Sequence, residues 1–465
     1  MKKSNLWSLR LGFSSRQSST IEEMGLEKFL KRSFSAPFDK QLPQCLEESP
    51  KSIAEIKEFR NKIKSTDEAE QKKLLKDQLR NTAELKKWWI AKFQFEDYPL
   101  REKTVLFWHN HFVATSQKVK VNYWIYQHNQ LLRENAFGNF KDLTKQILKT
   151  NAMVRYLDNV DNKKDKINEN LSRELLELFT IGIGNYTEND IKNGARALAG
   201  LGVGEGKAQY RNIFEDNTTK TYFGKTGNWK AEDLVDIIFE QPKTPYLITR
   251  KLLKWFLYDQ PSESLVQYYG DYFKAENFEI KPLLTKIFTE EYAKNNSGRK
   301  IKDPLVYLFQ LNDELQLNAP DPGIVAYYLK QQGMDLFNQV NVKGWDGGNS
   351  WLTSQIYLQR NTIADWLCNG RTINRKAFKN LTEADESPKI VFDKINPKLS
   401  FNSDNNNKQI ISELADRLLY TVEESMQQDM ETILKYDFDP KGPNANDAVM
   451  RLFHYIVKTP EFQLV

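Results

Sequence analysis

The run from Ile53 to Phe95 constrains the chain more than any other segment. It is dense in Lys, Glu, Leu and Ala, which favour helix over strand. It predicts two helices broken near Ser65-Thr66-Asp67, where a Ser, Thr or Asp side chain serves as N-cap. The same pattern recurs along the chain. Helices are expected over Ile21 to Phe34, Arg101 to Ala114, Tyr123 to Glu134, Phe140 to Lys149, Asn170 to Ile181 and Thr187 to Ala199. They resume at Ala231 to Phe239, Leu247 to Tyr258, Ser262 to Phe273 and Ile280 to Phe288, and a last one covers Asn444 to Lys458. Between them, Gly200 to Lys230 reads as loop with one short hairpin, and Asn338 to Trp351 as a Gly- and Trp-rich loop. The polar stretch Ser387 to Lys408 reads as a mobile insertion. Alternating β-branched runs are few and no fixed-period repeat is visible. The expected fold is therefore mainly α: one large irregular multi-helix domain over 1–465, with long loops and little or no sheet. Its sub-regions are N-terminal helices (1–100), a motif-bearing core (101–300) and a C-terminal part with the Gly-Trp loop (301–465).

Composition removes several function classes. Hydrophobic residues make up 40 % of the 465, and only 21 Gly and 16 Pro occur, so the chain can bury a core. With 67 basic against 62 acidic residues the net charge is only +5, so no nucleic-acid partner is expected. Cys45 and Cys368 lie too far apart in sequence for a CxxC site, and two free thiols are the simpler reading. No stretch approaches the roughly 18 apolar residues of a membrane span. The start, rich in Lys, Ser and Arg, has no apolar signal core. A soluble protein is expected, cytoplasmic on the absence of a signal segment, with periplasmic or secreted location left open.

Three blocks carry the unusual chemistry. The first is Phe107-Trp108-His109-Asn110-His111-Phe112 and the second runs from Asn168 to Phe179 as NENLSRELLELF. The third is Asn341-Val342-Lys343-Gly344-Trp345-Asp346-Gly347-Gly348, followed by Trp351 and Arg360. In these blocks and their order the sequence resembles the bacterial-type family known as domain of unknown function 1800, from near residue 8 to the C-terminus. The resemblance implies fold coverage and motif positions, not a reaction. It departs at Phe214-Glu215-Asp216, where Glu215 stands in place of a family histidine ahead of Lys220 and Gly224. That departure implies that any site served by the histidine in relatives is altered or lost here.

The physical reading of the blocks leaves two accounts open for each. His109 and His111 lie roughly 200° apart on a helix, so one imidazole is expected toward the core and the other toward a cleft. They are hydrogen-bonded structural histidines or acid–base and metal-binding groups. On the second block, Glu169, Arg173 and Glu177 recur every fourth residue with Glu174 beside them. This arc is a solvated ion-pair stripe or the wall of a polar pocket. In the third block, glycines allow close backbone approach. Lys343 and Asp346 would contact a polar ligand, and Trp345 and Trp351 would stack on it or anchor the loop. A calcium loop at Asp158 to Glu169 is excluded by Lys163 at the glycine position.

Two functions follow. The first is a hydrolase-like enzyme on a polar polymer or glycan. His109, His111, Glu169, Arg173, Glu174 and Glu177 would carry catalysis, with Lys343, Trp345, Asp346 and Trp351 on the substrate and a divalent metal as a compatible cofactor. The second is a non-catalytic helical binding or assembly protein. The oligomeric state is unknown. Convergence of the three blocks on one cleft separates the two. Contact between a histidine and the carboxylate arc is expected, as is a shared cleft for the Gly-Trp loop.

Overall fold

Capping chemistry sets most of the helix boundaries. Ser52 and Glu55 form a reciprocal capping box that starts the helix Ile53–Ser65. Asp67 accepts from the Glu70 N–H and starts the next helix, Glu68–Phe95, of 28 residues. The expected break therefore falls between them. Thr187 and Asp190 cap Glu188–Ala197 in the same way. Where one helix is expected from Ile21 to Phe34 there are two, Ser18–Met24 and Leu26–Ser35, because Gly25 adopts φ +79 between them.

The computed structural model describes residues 1–294, 298–380, 392–435 and 437–465. The protein is mainly helical, with 61 % helix and 4 % strand. The strands among the described residues form two antiparallel ribbons rather than the one hairpin expected. Leu201–Gly202 pairs with Gln209–Tyr210, and Lys220–Tyr222 with Lys225–Gly227. Part of the expected insertion, residues 387 to 391, lies outside the described residues. The stretch that follows runs irregularly into the helix Asn407–Leu418.

Several helices had gone unread. Pro304–Glu314 and Pro322–Gln331 each carry Pro in the first turn behind an Asp N-cap, a start signal present in the sequence. Lys3–Leu11 is buried on nearly every side and shows no polar face to read.

Buried apolar side chains from Leu6 to Val465 form one contiguous cluster. Two buried ion pairs lie within it. Arg133 contacts Glu102 through Nε at 2.5 Å and Nη2 at 2.8 Å, and the Trp89 indole donates to the same carboxylate at 3.0 Å. Lys103 Nζ lies 2.8 Å from Asp303 Oδ2, with both side chains 2 % exposed. These pairs anchor the helix Leu100–His111, which ends in the first sequence block.

Candidate functional site

The helix Leu100–His111 turns its two terminal histidines to different surroundings, as the 200° separation requires. His109 is fully buried among Trp89, Phe337 and His128. Its Nε2 faces the Ala114 carbonyl at 3.2 Å, and its Nδ1 accepts from Asn129 Nδ2 at 3.4 Å. Because a carbonyl only accepts, Nε2 carries the proton. His128 satisfies the Phe112 carbonyl in the same manner at 2.8 Å. These two imidazoles close off carbonyls beyond the helix end. Burial holds His109 well below the ordinary histidine range and lowers His128 to about 4.

His111 points the other way. Its Nε2 donates to the Phe179 carbonyl at 3.1 Å, which leaves Nδ1 to accept from Lys251 Nζ at 3.2 Å. Lys251 also donates to the Leu178 carbonyl at 2.9 Å. Both carbonyls belong to the π-helical turn Leu175–Thr180 that ends the second block. A π turn widens the backbone and leaves carbonyls without helical partners. The first two blocks therefore meet, but through carbonyls. Among the described residues neither histidine hydrogen-bonds to Glu169, Arg173, Glu174 or Glu177.

The third block docks onto Asn110, the residue between the histidines. Asn110 Oδ1 accepts from the Trp345 N–H at 2.6 Å, and its Nδ2 faces the Trp345 carbonyl at 3.5 Å. Gly344 permits this approach. Its φ is +86, and a Cβ there would sit 2.4 Å from the Asn110 carbonyl oxygen. Trp345 and Trp351 are buried, 7 % and 4 % exposed, while Lys343 and Asp346 are exposed. Both loop accounts therefore hold in part: the tryptophans anchor the loop, and the charged residues reach solvent.

Loop and histidine helix enclose a cavity of about 180 Å³ with the helix Thr244–Phe256. Lys251, Lys254, Lys300 and Lys343 line it against the two carboxylates Asp259 and Asp346. His111, Phe107 and the rings of Trp255, Trp345 and Trp351 complete the wall. Lys251 forms no ion pair among the described residues, and burial lowers its amine to about 8. Lys300, bound to the Trp255 carbonyl, is likewise lowered by burial to about 8. The Trp345 indole N–H is shut off from solvent and has no acceptor among the described residues.

The carboxylate arc stands beside this cavity rather than in its lining. Arg173 reaches Glu169 at 3.1 Å, Glu177 at 3.4 Å and Glu188 at 3.1 Å. Its side chain is 34 % exposed, and those of its three partners 33 %, 22 % and 66 %. Solvent screens such a network, so Arg173→Ala is expected to cost about 1 kcal/mol or less. Denaturant midpoints check this; a loss of several kcal/mol would show that the carboxylates are sealed from water. Glu174 differs from its neighbours. It makes no side-chain hydrogen bond among the described residues. Burial, then the Glu177 charge, raises its pKa, and Arg173 and Lys343 oppose the rise.

Sequence reasoning missed Asn110, Lys251, Lys254, Asp259 and Lys300. Asn110 sat inside a quoted block, and its position between two histidines was the available signal. The lysines of Thr244–Phe256 carried none, since Lys at helical spacing usually means a solvated face. At the departed position, Glu215 pairs with Lys230 at 2.5 Å, and Asp216 with Arg196 at 2.8 Å. Among the described residues no group of three or more His, Cys, Asp or Glu side chains is placed to hold a metal ion. Nor is any helix long and apolar enough to cross a membrane.

The geometry defines a mainly helical protein with a cationic, tryptophan-lined cavity that the first and third sequence blocks line. The chain belongs to the family described as protein of unknown function DUF1800, which it matches over residues 6–464. The comparisons with curated proteins and with solved structures return no match.

Proposed function

We propose that the protein is a hydrolase acting on an acidic glycan, with one anionic sugar unit seated in the lysine and tryptophan cavity. The observation that carries this reading is the wall itself: four lysines against two carboxylates, among three tryptophans. Tryptophan faces suit the apolar side of a sugar ring. Lysines neutralise its acid group. Buried cations that serve the fold alone also occur here, as at Lys302, which donates to the Phe462 carbonyl inside the core. Lys251 differs in opening onto a cavity.

Glu174 is the acid–base candidate of the arc, because its raised pKa favours a proton that a leaving oxygen can take. Glu169 and Glu177 hold Arg173 and so position that helix. His111, with Nδ1 turned to Lys251, holds the lysine toward the cavity. The metal-assisted variant has no ligand set among the described residues and is not part of the proposal.

Calorimetric titration with galacturonic acid oligomers and with neutral gluco-oligomers of equal length tests the binding step. The acidic oligomers are expected to bind at least about tenfold more tightly, and Lys343→Ala to lose about that factor. Equal binding of both series would overturn the reading. Release of reducing ends, abolished in Glu174→Gln, tests hydrolysis. Tight binding without release would instead support the second reading, a non-catalytic binding protein. The docking of buried Trp345 onto Asn110 is the observation that favours it.

A further inference from the structure

A second cavity, of about 190 Å³, gathers three arginines from distant parts of the chain. Arg60 comes from the helix Ile53–Ser65, Arg155 from Asn151–Tyr156, and Arg211 follows the ribbon strand Gln209–Tyr210. Trp124 and Phe214 supply aromatic walls, and among the described residues no Asp or Glu lines the space. None of the three guanidinium groups forms an ion pair among the described residues. Arg211 has one side-chain hydrogen bond, to the Val203 carbonyl at 3.4 Å. The Nε of Arg155 is closed off from solvent and meets no acceptor among the described residues.

This arrangement is unlike the other arginines of the region. Arg196 is paired with Asp216, and Arg250 with Glu263. Converging like charges with no counter-charge are unfavourable, and a bound anion removes the repulsion. Burial, and after it the neighbouring Arg155 charge, lowers the Arg60 pKa. Guanidinium forks match tetrahedral oxyanions, each offering paired N–H groups to two oxygens.

We infer that the Arg60, Arg155 and Arg211 cavity is a binding site for a phosphate-class oxyanion, either the free ion or a phosphate monoester. The site stands apart from the lysine cavity, and its residues are not those of the proposed glycan site.

Titration of the full chain with inorganic phosphate and, separately, with glucose 6-phosphate tests the inference, at matched ionic strength in sodium chloride. Calorimetry and thermal melts provide two readouts. Phosphate is expected to raise Tm above the chloride control, as any ligand selective for the folded state does. Arg155→Met is expected to weaken binding at least about tenfold, and Arg155→Lys to restore part of it. If Arg155→Met melts before it can be titrated, Arg60→Met, at an exposed position, carries the same expectation. Lys251→Met should leave the response intact. Stronger binding of the ester than of the free ion identifies a phosphorylated metabolite as ligand, and equal binding identifies phosphate itself. A Tm response equal to that of chloride, or one lost in Lys251→Met but kept in Arg155→Met, would overturn the inference. The latter result would assign the anion to the lysine cavity.

Discussion

Asp303→Ala is expected to lower the unfolding free energy by about 3–5 kcal/mol through Lys103, and by about 1 kcal/mol more through a lost helix cap. Asp303 does two things at once. Its Oδ2 pairs with Lys103 Nζ at 2.8 Å where both side chains are 2 % exposed. Its Oδ1 accepts from the Val306 N–H at 2.9 Å and starts the helix Pro304–Glu314. Removing the carboxylate strands an ammonium in the core, which costs far more than the pair itself contributes. The charges of Lys103 and Lys300, together with hydrogen bonds from Lys103 and the Val306 N–H, hold the carboxyl below its usual range despite its burial. Asp303→Asn separates the two effects, since Asn caps as well as Asp but carries no charge. It should recover the cap and leave the larger loss. Denaturant titrations of both variants measure this, and a near-native midpoint for Asp303→Asn would refute the stranded-charge account.

The second large effect is acid instability beginning above the carboxylate range. His109, His111 and His128 are buried as neutral imidazoles with depressed pKa values, chiefly through burial. A histidine depressed in the folded state takes up a proton on unfolding. The unfolded chain binds more protons below its pKa of about 6.5, so stability falls as pH falls. For His128, with a folded value of about 4, the loss from pH 7 to pH 5 is about 2 kcal/mol. It continues until the folded value is reached, and His109 and His111 add losses of the same sign. Unfolding near pH 5.5 should therefore take up about three protons from these groups. Calorimetry in buffers of different ionisation enthalpy counts them. A stability curve flat from pH 7 to pH 5 would show that the imidazoles are not sealed from water. His128→Gln keeps a donor for the Phe112 carbonyl and should flatten the slope by one proton's share.

Much of the helical framework was readable because it depends on local chemistry. The break at Ser65-Thr66-Asp67 follows from a side chain that caps its own backbone three residues on. Ala231–Phe239 appears at the expected residues because its apolar face is periodic. The opposed fates of His109 and His111 follow from helix geometry alone. The break at Gly25 was written in the sequence but outweighed by the amphipathic pattern on either side. Lys3–Leu11 carried no periodic signal, since burial around its whole circumference removes the polar face.

The candidate site was legible only in its blocks. The sequence by itself determined that Trp345, Lys343 and Asp346 sit together between glycines, and that Glu169, Arg173 and Glu177 share one helix arc. Spacing along a helix or a short loop decides such neighbours. Only the tertiary structure decided that the loop docks on Asn110, and that the arc is held by Glu188 from the next helix and stands beside the cavity. It also turned Lys251, a residue with the pattern of a solvated lysine, into a cavity wall. The reason is physical. Whether a charge meets water, a carbonyl or a carboxylate depends on elements far away in sequence, and no local periodicity records that packing.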